Sequence, residues 1–344
     1  MSERLAELIA PLRLDDFMSR YWQREDLFCA GAAERFAELL PWRDLNAILE
    51  RHWRETYRFR IARRGRDLDP ASYSDLNGST PRIRARDVTG HLASGATLSF
   101  DGIDEVHAPI TRLAESFAAW FDASTQVNAY AGFRALHGLD LHRDEQEGFI
   151  LQIHGRKRWL LYGFSIDGVD PGALEERSEP PAGSSFDRVL TPGNVLYIPR
   201  GCYHVALPLN EPTLHLTVGI RTEKPAMSRP SFGFPWSAAP EGLPAGGEFR
   251  VALNAGSGLA VNGTGGGPSI EVRCSGRAFR FPRSARLIID ELNGGAPRPI
   301  GELVAALAGR LDEQLVRLLL GMLARQDLVR IREQGWQPRS SHER

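Results

Sequence analysis

The chain is short of lysine: of its 42 basic residues only Lys157 and Lys224 are lysine, and the rest are arginine. Cysteine is equally sparse, with Cys29, Cys202 and Cys274 far apart and odd in number. Such spacing argues against a disulfide framework and offers no C-x-x-C zinc pair, so a reducing, cytoplasmic setting is expected. No stretch approaches the roughly 20 apolar residues of a membrane span, and no membrane partner is expected. The opening MSERLAELIAPLRLDDF has neither a basic n-region nor a small-residue cleavage site, so it does not read as a secretion signal. An excess of one charge is also missing. The 42 basic and 43 acidic residues leave a net charge of −1, which removes the strongest electrostatic reason to expect nucleic acid. At 344 residues, 42% hydrophobic and 25% charged, the chain suits two globular domains or one large core with an appendage.

Local pattern divides the chain. Residues 1 to about 60 read as helical, with Leu5, Ile9 and Leu12 at helical spacing and PWRDLNAILERHW continuing it. From Val127 to about Arg221 the pattern changes to short strands: VNAYAGF, GFILQIHG, RKRWLLYGF, NVLYIP, YHVALPL and TLHLTVGIR. Pro-Gly and Gly turns separate them, which suggests a sandwich or small barrel. Residues 60–125 read as a lid that selects the substrate. A Pro/Gly-rich stretch over 223–280 reads as a connecting segment in which FRVALNAG and SIEVRC could pair as strands. Three helical segments and the strand-like LVRIR then give a winged-helix-like domain over 281–335, with a tail at 336–344.

The chemistry is sought among nine histidines. His142 and Asp144 stand at i and i+2, so on a strand both side chains face the same way and can grip one ion. His204 supplies a third ligand from TPGNVLYIPRGCYH, where a Pro-Gly turn, an apolar strand and a Pro/Gly corner lead to the imidazole. Two histidines and one carboxylate are the facial triad of non-haem Fe(II) oxygenases, with positions left for a bidentate co-substrate and O₂. Two alternatives stand beside it. His142 and Asp144 could be a surface pair in the polar loop LHGLDLHRDEQE. His137 and Asp140 could be the ligands, although i, i+3 spacing places them on opposite strand faces.

These motifs together resemble the Jumonji-C-type cupin oxygenases, and most closely the bacterial ribosomal-oxygenase branch called cupin-4. The resemblance runs from the F-x-x-x-Y-W of Phe17, Tyr21 and Trp22, through NAYAGF, the H-x-D and EGFILQIHGRKRWLLY, to PGNVLYIPRGCYH and TLHLTV. It implies an α+β chain: a double-stranded β-helix (cupin, jelly-roll) barrel over residues 1–222 with N-terminal helices and a C-terminal winged-helix-like domain. It implies Fe(II) held by His142, Asp144 and His204, with 2-oxoglutarate as co-substrate and O₂ as oxidant. Lys157 is then the anchor for the distal carboxylate, with Asn128 and Tyr130 nearby. The residues agree with that anchor. Lys157, Trp159 and Leu161 alternate onto one apolar face, where a buried ammonium needs an anion. Thr213, His215 and Thr217 alternate against Leu214, Leu216 and Val218, so Thr213 is a further candidate contact and His215 a supporting residue.

The activity so implied is hydroxylation of a side-chain carbon in a protein or peptide, a ribosomal protein in the family's own pattern, with release of succinate and CO₂. Demethylation follows from the same chemistry, but no methyl-lysine cage is visible. Residues 222–280 lack the helical dimerisation segment of ribosomal oxygenases, which leaves a homodimer open. DNA is not expected as a partner. Residues 283–344 carry ten arginines against eight acids, and DEQLVRLLLGMLARQ is mainly apolar where a groove-reading helix would be polar. Two rival functions remain: a tailoring hydroxylase for a ribosomally made peptide, its C-terminal domain binding the leader, and a cupin-fold binding protein without catalysis.

Overall fold

A computed structural model describes residues 3–76, 80–135, 138–165, 182–223, 238, 242–243, 249–254, 259–262, 267–274, 277–293 and 297–333. The chain divides into two compact units, Met1–Pro225 and Ala226–Arg344.

The first unit begins with α1 (Glu3–Ile9), α2 (Leu14–Asp16) running into a π-helical turn (Phe17–Tyr21), β1 (Leu27–Cys29) and α3 (Trp42–Arg51). It continues through β2 (Phe59–Arg63), β3 (Arg66–Asp67), β4 (Ser74–Asp75), β5 (Arg82–Ile83), α4 (Ala85–Ala93), β6 (Thr97–Phe100) and α5 (Ala108–Phe121). The strand-rich part holds β7 (Ser124–Gly132), β8 (Glu147–His154), β9 (Lys157–Leu161), β10 (Phe186–Leu190), β11 (Val195–Ile198), β12 (His204–Pro208) and β13 (Thr213–Arg221). An eight-stranded antiparallel sheet has the order β1-β11-β8-β13-β7-β6-β2-β3, and a three-stranded sheet the order β10-β9-β12.

Alternation decides which face each strand shows. Leu214, Leu216, Val218 and Ile220 turn outward into a core shared with Leu8, Leu45, Ile110 and Phe117 of the helices. On the other face Ile150, Leu196 and Ile198 of the large sheet pack with Trp159, Leu161 and Leu190 of the small one. The two sheets thus close on a common interior, the double-stranded β-helix of a cupin. The N-terminal aromatics seal the outer face: Phe17 lies 5.1 Å from Tyr197 and 5.8 Å from Phe149, and Trp22 stacks on Phe121 at 4.1 Å.

The structure changes two expectations here. Residues 27–29 are not helical but pair with Val195–Tyr197 as the edge strand of the large sheet. Part of the supposed lid is sheet: β2, β3 and β6 extend the eight-stranded layer, because Phe59, Ile61, Leu98 and Phe100 supply its apolar face, while α4 and α5 make up more of the segment.

The second unit contains β14 (Phe249–Leu253), β15 (Ala260–Asn262), β16 (Ser269–Cys274), β17 (Arg277–Pro282), α6 (Ala285–Leu292), β18 (Arg298–Pro299), α7 (Ile300–Leu307), α8 (Glu313–Arg325) and β19 (Val329–Glu333). The FRVAL and SIEVRC strands do not pair with each other. FRVAL is the centre of a sheet between β18 and β19, and SIEVRC is the centre of a β15-β16-β17 meander. Val251, Val272, Ile288, Leu303, Leu320 and Ile331 share one core, so both segments belong to the unit that a linker was expected to precede. Among the described residues no helix is long and apolar enough to cross a membrane.

Candidate metal centre and adjoining pocket

His204 opens β12 directly after the Pro/Gly corner, and His142 faces it across an isolated antiparallel bridge. The two exchange backbone bonds: the His204 N–H donates to the His142 carbonyl at 2.8 Å, and the His142 N–H to the His204 carbonyl at 3.1 Å. Asp144 follows two residues later, its own carbonyl accepting the Gly201 N–H at 2.9 Å. Gly201 has φ +81°, a left-handed turn that glycine adopts without cost. One ligand atom from each of His142, Asp144 and His204 lies within 4.8 Å of the others. His142 Nε2 stands 3.8 Å from one Asp144 oxygen and His204 Nε2 3.8 Å from the other.

Hydrogen bonds on the far side of each ring fix which nitrogen is bare. His142 Nδ1 sits 2.8 Å from the Asp140 carbonyl, and His204 Nδ1 2.9 Å from the Cys202 carbonyl. A carbonyl only accepts, so each Nδ1 carries a proton, and Nε2 is the nitrogen that faces Asp144 and would bind a metal. Burial, with the His142 ring beside it, pushes His204 down to about 4, so it is neutral at pH 7 as a ligand must be. The rings differ in enclosure: the His204 side chain is 6% exposed and the His142 side chain 37%. Of the alternative pair, His137 lies outside the described residues, and Asp140 contributes its carbonyl to holding His142.

Below the centre lies the lysine. Lys157, Trp159 and Leu161 pair across to Pro208, Ala206 and His204, so the inward face of β9 descends from the centre to Lys157. Lys157 is 4% exposed, has no ion-pair partner among the described residues, and burial pushes it down to about 7. Trp159 stacks near His204 (6.1 Å) and meets His215 edge-on (5.3 Å). Trp159 Nε1, His215 Nδ1 and Gln152 Oε1 are buried without a hydrogen-bond partner among the described residues. Burial and the nearby Lys157 both hold His215 in its neutral form. A buried cation and an unpaired N–H donor together fit a carboxylate.

The remaining expected contacts occupy the same interior but already have neighbours. Asn128 Oδ1 accepts the Gly102 N–H at 3.0 Å, and Thr213 Oγ1 accepts from Gln152 Nε2 at 2.9 Å. Tyr130 stacks flat on His215 at 4.9 Å, and burial pushes its phenol up. A polar row that sequence reading missed runs beside them. Arg60 pairs with Ser99, Ser99 with Tyr130, Tyr130 with His215 and His215 with Gln152 across five strands. Local pattern carried no signal for Arg60 or Ser99, because only the register of distant strands brings them to this pocket.

Comparison with known proteins meets this geometry. A JmjC domain model matches residues 105–227. The chain is 28% identical over 228 residues to a bifunctional lysine-specific demethylase and histidyl-hydroxylase NO66 of Drosophila grimshawi, covering 63% of this chain and 30% of that protein. It is 35% identical over 114 residues to ribosomal oxygenase 2 of Rattus norvegicus, covering 32% of this chain and 24% of that one. The chain therefore spans less than a third of the length of these relatives. Among solved structures, the Escherichia coli ribosomal oxygenase YcfD in complex with cobalt and 2-oxoglutarate superposes with a TM-score of 0.56 at 17% identity, over 93% of this chain and 98% of that one. Residues 105–227 are a JmjC domain, and the fold is that of the JmjC cupins. Ribosomal oxygenases are among the proteins that the chain resembles in sequence and in fold.

Proposed function

We propose that the chain is an Fe(II)- and 2-oxoglutarate-dependent oxygenase that hydroxylates a side-chain carbon of a protein substrate. The observation that carries this reading is the pairing of a two-histidine, one-carboxylate centre with an unpaired buried lysine on the same barrel interior. That donor set suits Fe(II) and leaves positions open, and the lysine suits the far end of a dicarboxylate. Four residue steps along β9 lead from Lys157 to the rung of His204, roughly 13 Å of strand, which the lysine stem and a five-carbon diacid together can bridge.

Within such an enzyme the residues have distinct tasks. His142, Asp144 and His204 hold the metal; when bound, iron with 2-oxoglutarate and O₂ supplies the oxidant for an unactivated C–H bond, leaving succinate and CO₂. The Asp140 and Cys202 carbonyls keep the proton on Nδ1 of each histidine and so keep Nε2 free. Lys157 pairs with the distal carboxylate, with the Trp159 N–H as an additional donor. Ile150, Leu196 and Ile198 make the interior apolar and exclude water. Tyr130, Asn128 and Thr213 border the same space.

The relatives' names favour a ribosomal protein as the substrate, and a histidyl side chain as one target class. The second unit then serves as a winged-helix-like module for docking a protein or peptide, in the cytoplasm. Mass spectrometry of ribosomal proteins and small peptides from wild-type and deletion strains tests this. A ribosomal protein that loses the mass of one oxygen in the deletion strain identifies the target. A change confined to a small peptide replaces the ribosomal substrate with a tailoring role, and no change in either removes both of these substrate classes.

A further inference from the structure

We propose that the β2–β3 turn and Thr97 clamp residues 138–140 and thereby set the orientation of His142, which makes Gly65 and Gly138 positioning residues for the metal centre. The inference rests on the metal reading above and assigns a task to residues on other strands that touch neither metal nor ligand.

His142 needs outside support more than its partner does. His204 is enclosed beside Trp159, whereas the His142 side chain is more than a third exposed. The ring of His142 packs against the His204 ring, with centroids 4.4 Å apart, and among the described residues its one hydrogen bond under 3 Å is from Nδ1 to the Asp140 carbonyl at 2.8 Å. The position of that carbonyl therefore sets the direction of Nε2.

Two contacts fix residues 138–140, and a glycine stands at each. Arg63 pairs with Arg66 across a two-residue turn in which Arg64 (φ +51°) and Gly65 (φ +74°) are both left-handed. The Gly65 N–H donates to the Gly138 carbonyl at 2.8 Å, and the Asp140 carboxylate fills the space where a Gly65 side chain would be. A Cβ on Gly65 would stand 1.8 Å from Asp140 Oδ2 and 2.0 Å from its Cγ. From the other side, a Cβ on Gly138 would stand 2.5 Å from the Cβ of Thr97, a buried residue of β6 whose branched side chain cannot swing aside. Gly138 is not left-handed, so alanine there acts through this contact alone. The segment is thus held between a hairpin tip and a sheet strand, two residues before the first metal ligand.

The test is an anaerobic Co(II) titration of the full chain, following the d–d bands and the dissociation constant, with Tm recorded for each variant. Gly65→Ala and Gly138→Ala are expected to weaken Co(II) binding about 10- to 100-fold, the usual effect of disturbing a group that orients a ligand, and to shift the d–d bands. Gly309→Ala is the control for left-handed strain, since Gly309 has φ +80° and open space around its Cβ position; its Co(II) affinity is expected to match wild type. Asp140→Ala keeps the carbonyl and removes the obstructing carboxylate, so Gly65→Ala/Asp140→Ala is expected to recover the affinity. Affinities and bands for Gly65→Ala and Gly138→Ala that equal those of the control, whatever their Tm, overturn the clamp. That is the outcome if the carboxylate merely turns aside and the segment stays in place. A wild-type chain that binds no Co(II) overturns the metal reading itself, and the clamp with it.

Discussion

Lys157 is a residue whose cost to the protein without its ligand is visible in its surroundings. Its pKa falls from 10.5 to about 7 because the ammonium is buried, with no anion beside it among the described residues. Between pH 7 and 10.5 the unfolded chain therefore binds more protons than the folded one at this site, so its contribution makes stability rise with pH over that window. Below pH 7 the full penalty remains. Lys157→Met is expected to remove that rise and to stabilise the ligand-free protein by about 1–4 kcal/mol near neutral pH. The same variant is expected to lose 2-oxoglutarate affinity while keeping metal affinity. Denaturant melts across pH, set beside co-substrate titrations, check both halves, and a variant less stable than wild type contradicts the unpaired-cation account. Lys157 was legible in the sequence because lysine is rare here and alternates with Trp159 and Leu161. His142 and Asp144 were legible because i, i+2 spacing is local. Arg60, Ser99 and Gln152 were not, since their meeting depends on strand register between segments far apart in sequence.

At the scale of elements, a buried polar junction ties the N-terminal segment to the outer face of the large sheet. The Tyr197 hydroxyl on β11 donates to Glu147 of β8 at 2.5 Å and accepts the Gln23 N–H at 2.8 Å, and Glu147 also accepts the Arg200 N–H at 3.2 Å. Burial pushes the Glu147 carboxyl up, with Tyr197 opposing. Tyr197→Phe leaves Glu147 and the Gln23 N–H each one partner short and is expected to cost about 1–3 kcal/mol, read as a lower denaturant midpoint with the slope unchanged. A midpoint equal to wild type contradicts that role. The strands of the barrel were readable because alternation and Pro-Gly turns are local signals. The short strand β1 was hidden inside a helical pattern, and it exists because it pairs with Val195–Tyr197. The partners of β14 and β16 were equally hidden: both segments lie in a Gly/Pro-rich stretch, and their strands are fixed by a core built largely from residues further along the chain.

For the whole molecule, the division into two compact units, each with its own core, predicts two cooperative transitions. Calorimetry of the full chain is expected to resolve two transitions, with Co(II) raising only the one that belongs to residues 1–225, since a ligand stabilises the unit that holds it. A single transition that shifts as one contradicts independent units. The barrel and its centre were legible from the sequence as one pattern, whereas the extent of the second unit was not, because composition alone made residues 223–280 look like a connector.

The central claim, that His142, Asp144 and His204 hold iron while Lys157 anchors 2-oxoglutarate beside it, is tested most directly by anaerobic titration of the wild-type chain with Fe(II) and 2-oxoglutarate. The account predicts a charge-transfer absorption that needs both ligands, is absent in His142→Ala, and requires at least tenfold more 2-oxoglutarate in Lys157→Met. No such absorption in the wild-type chain, or equal 2-oxoglutarate affinity in Lys157→Met, would contradict it.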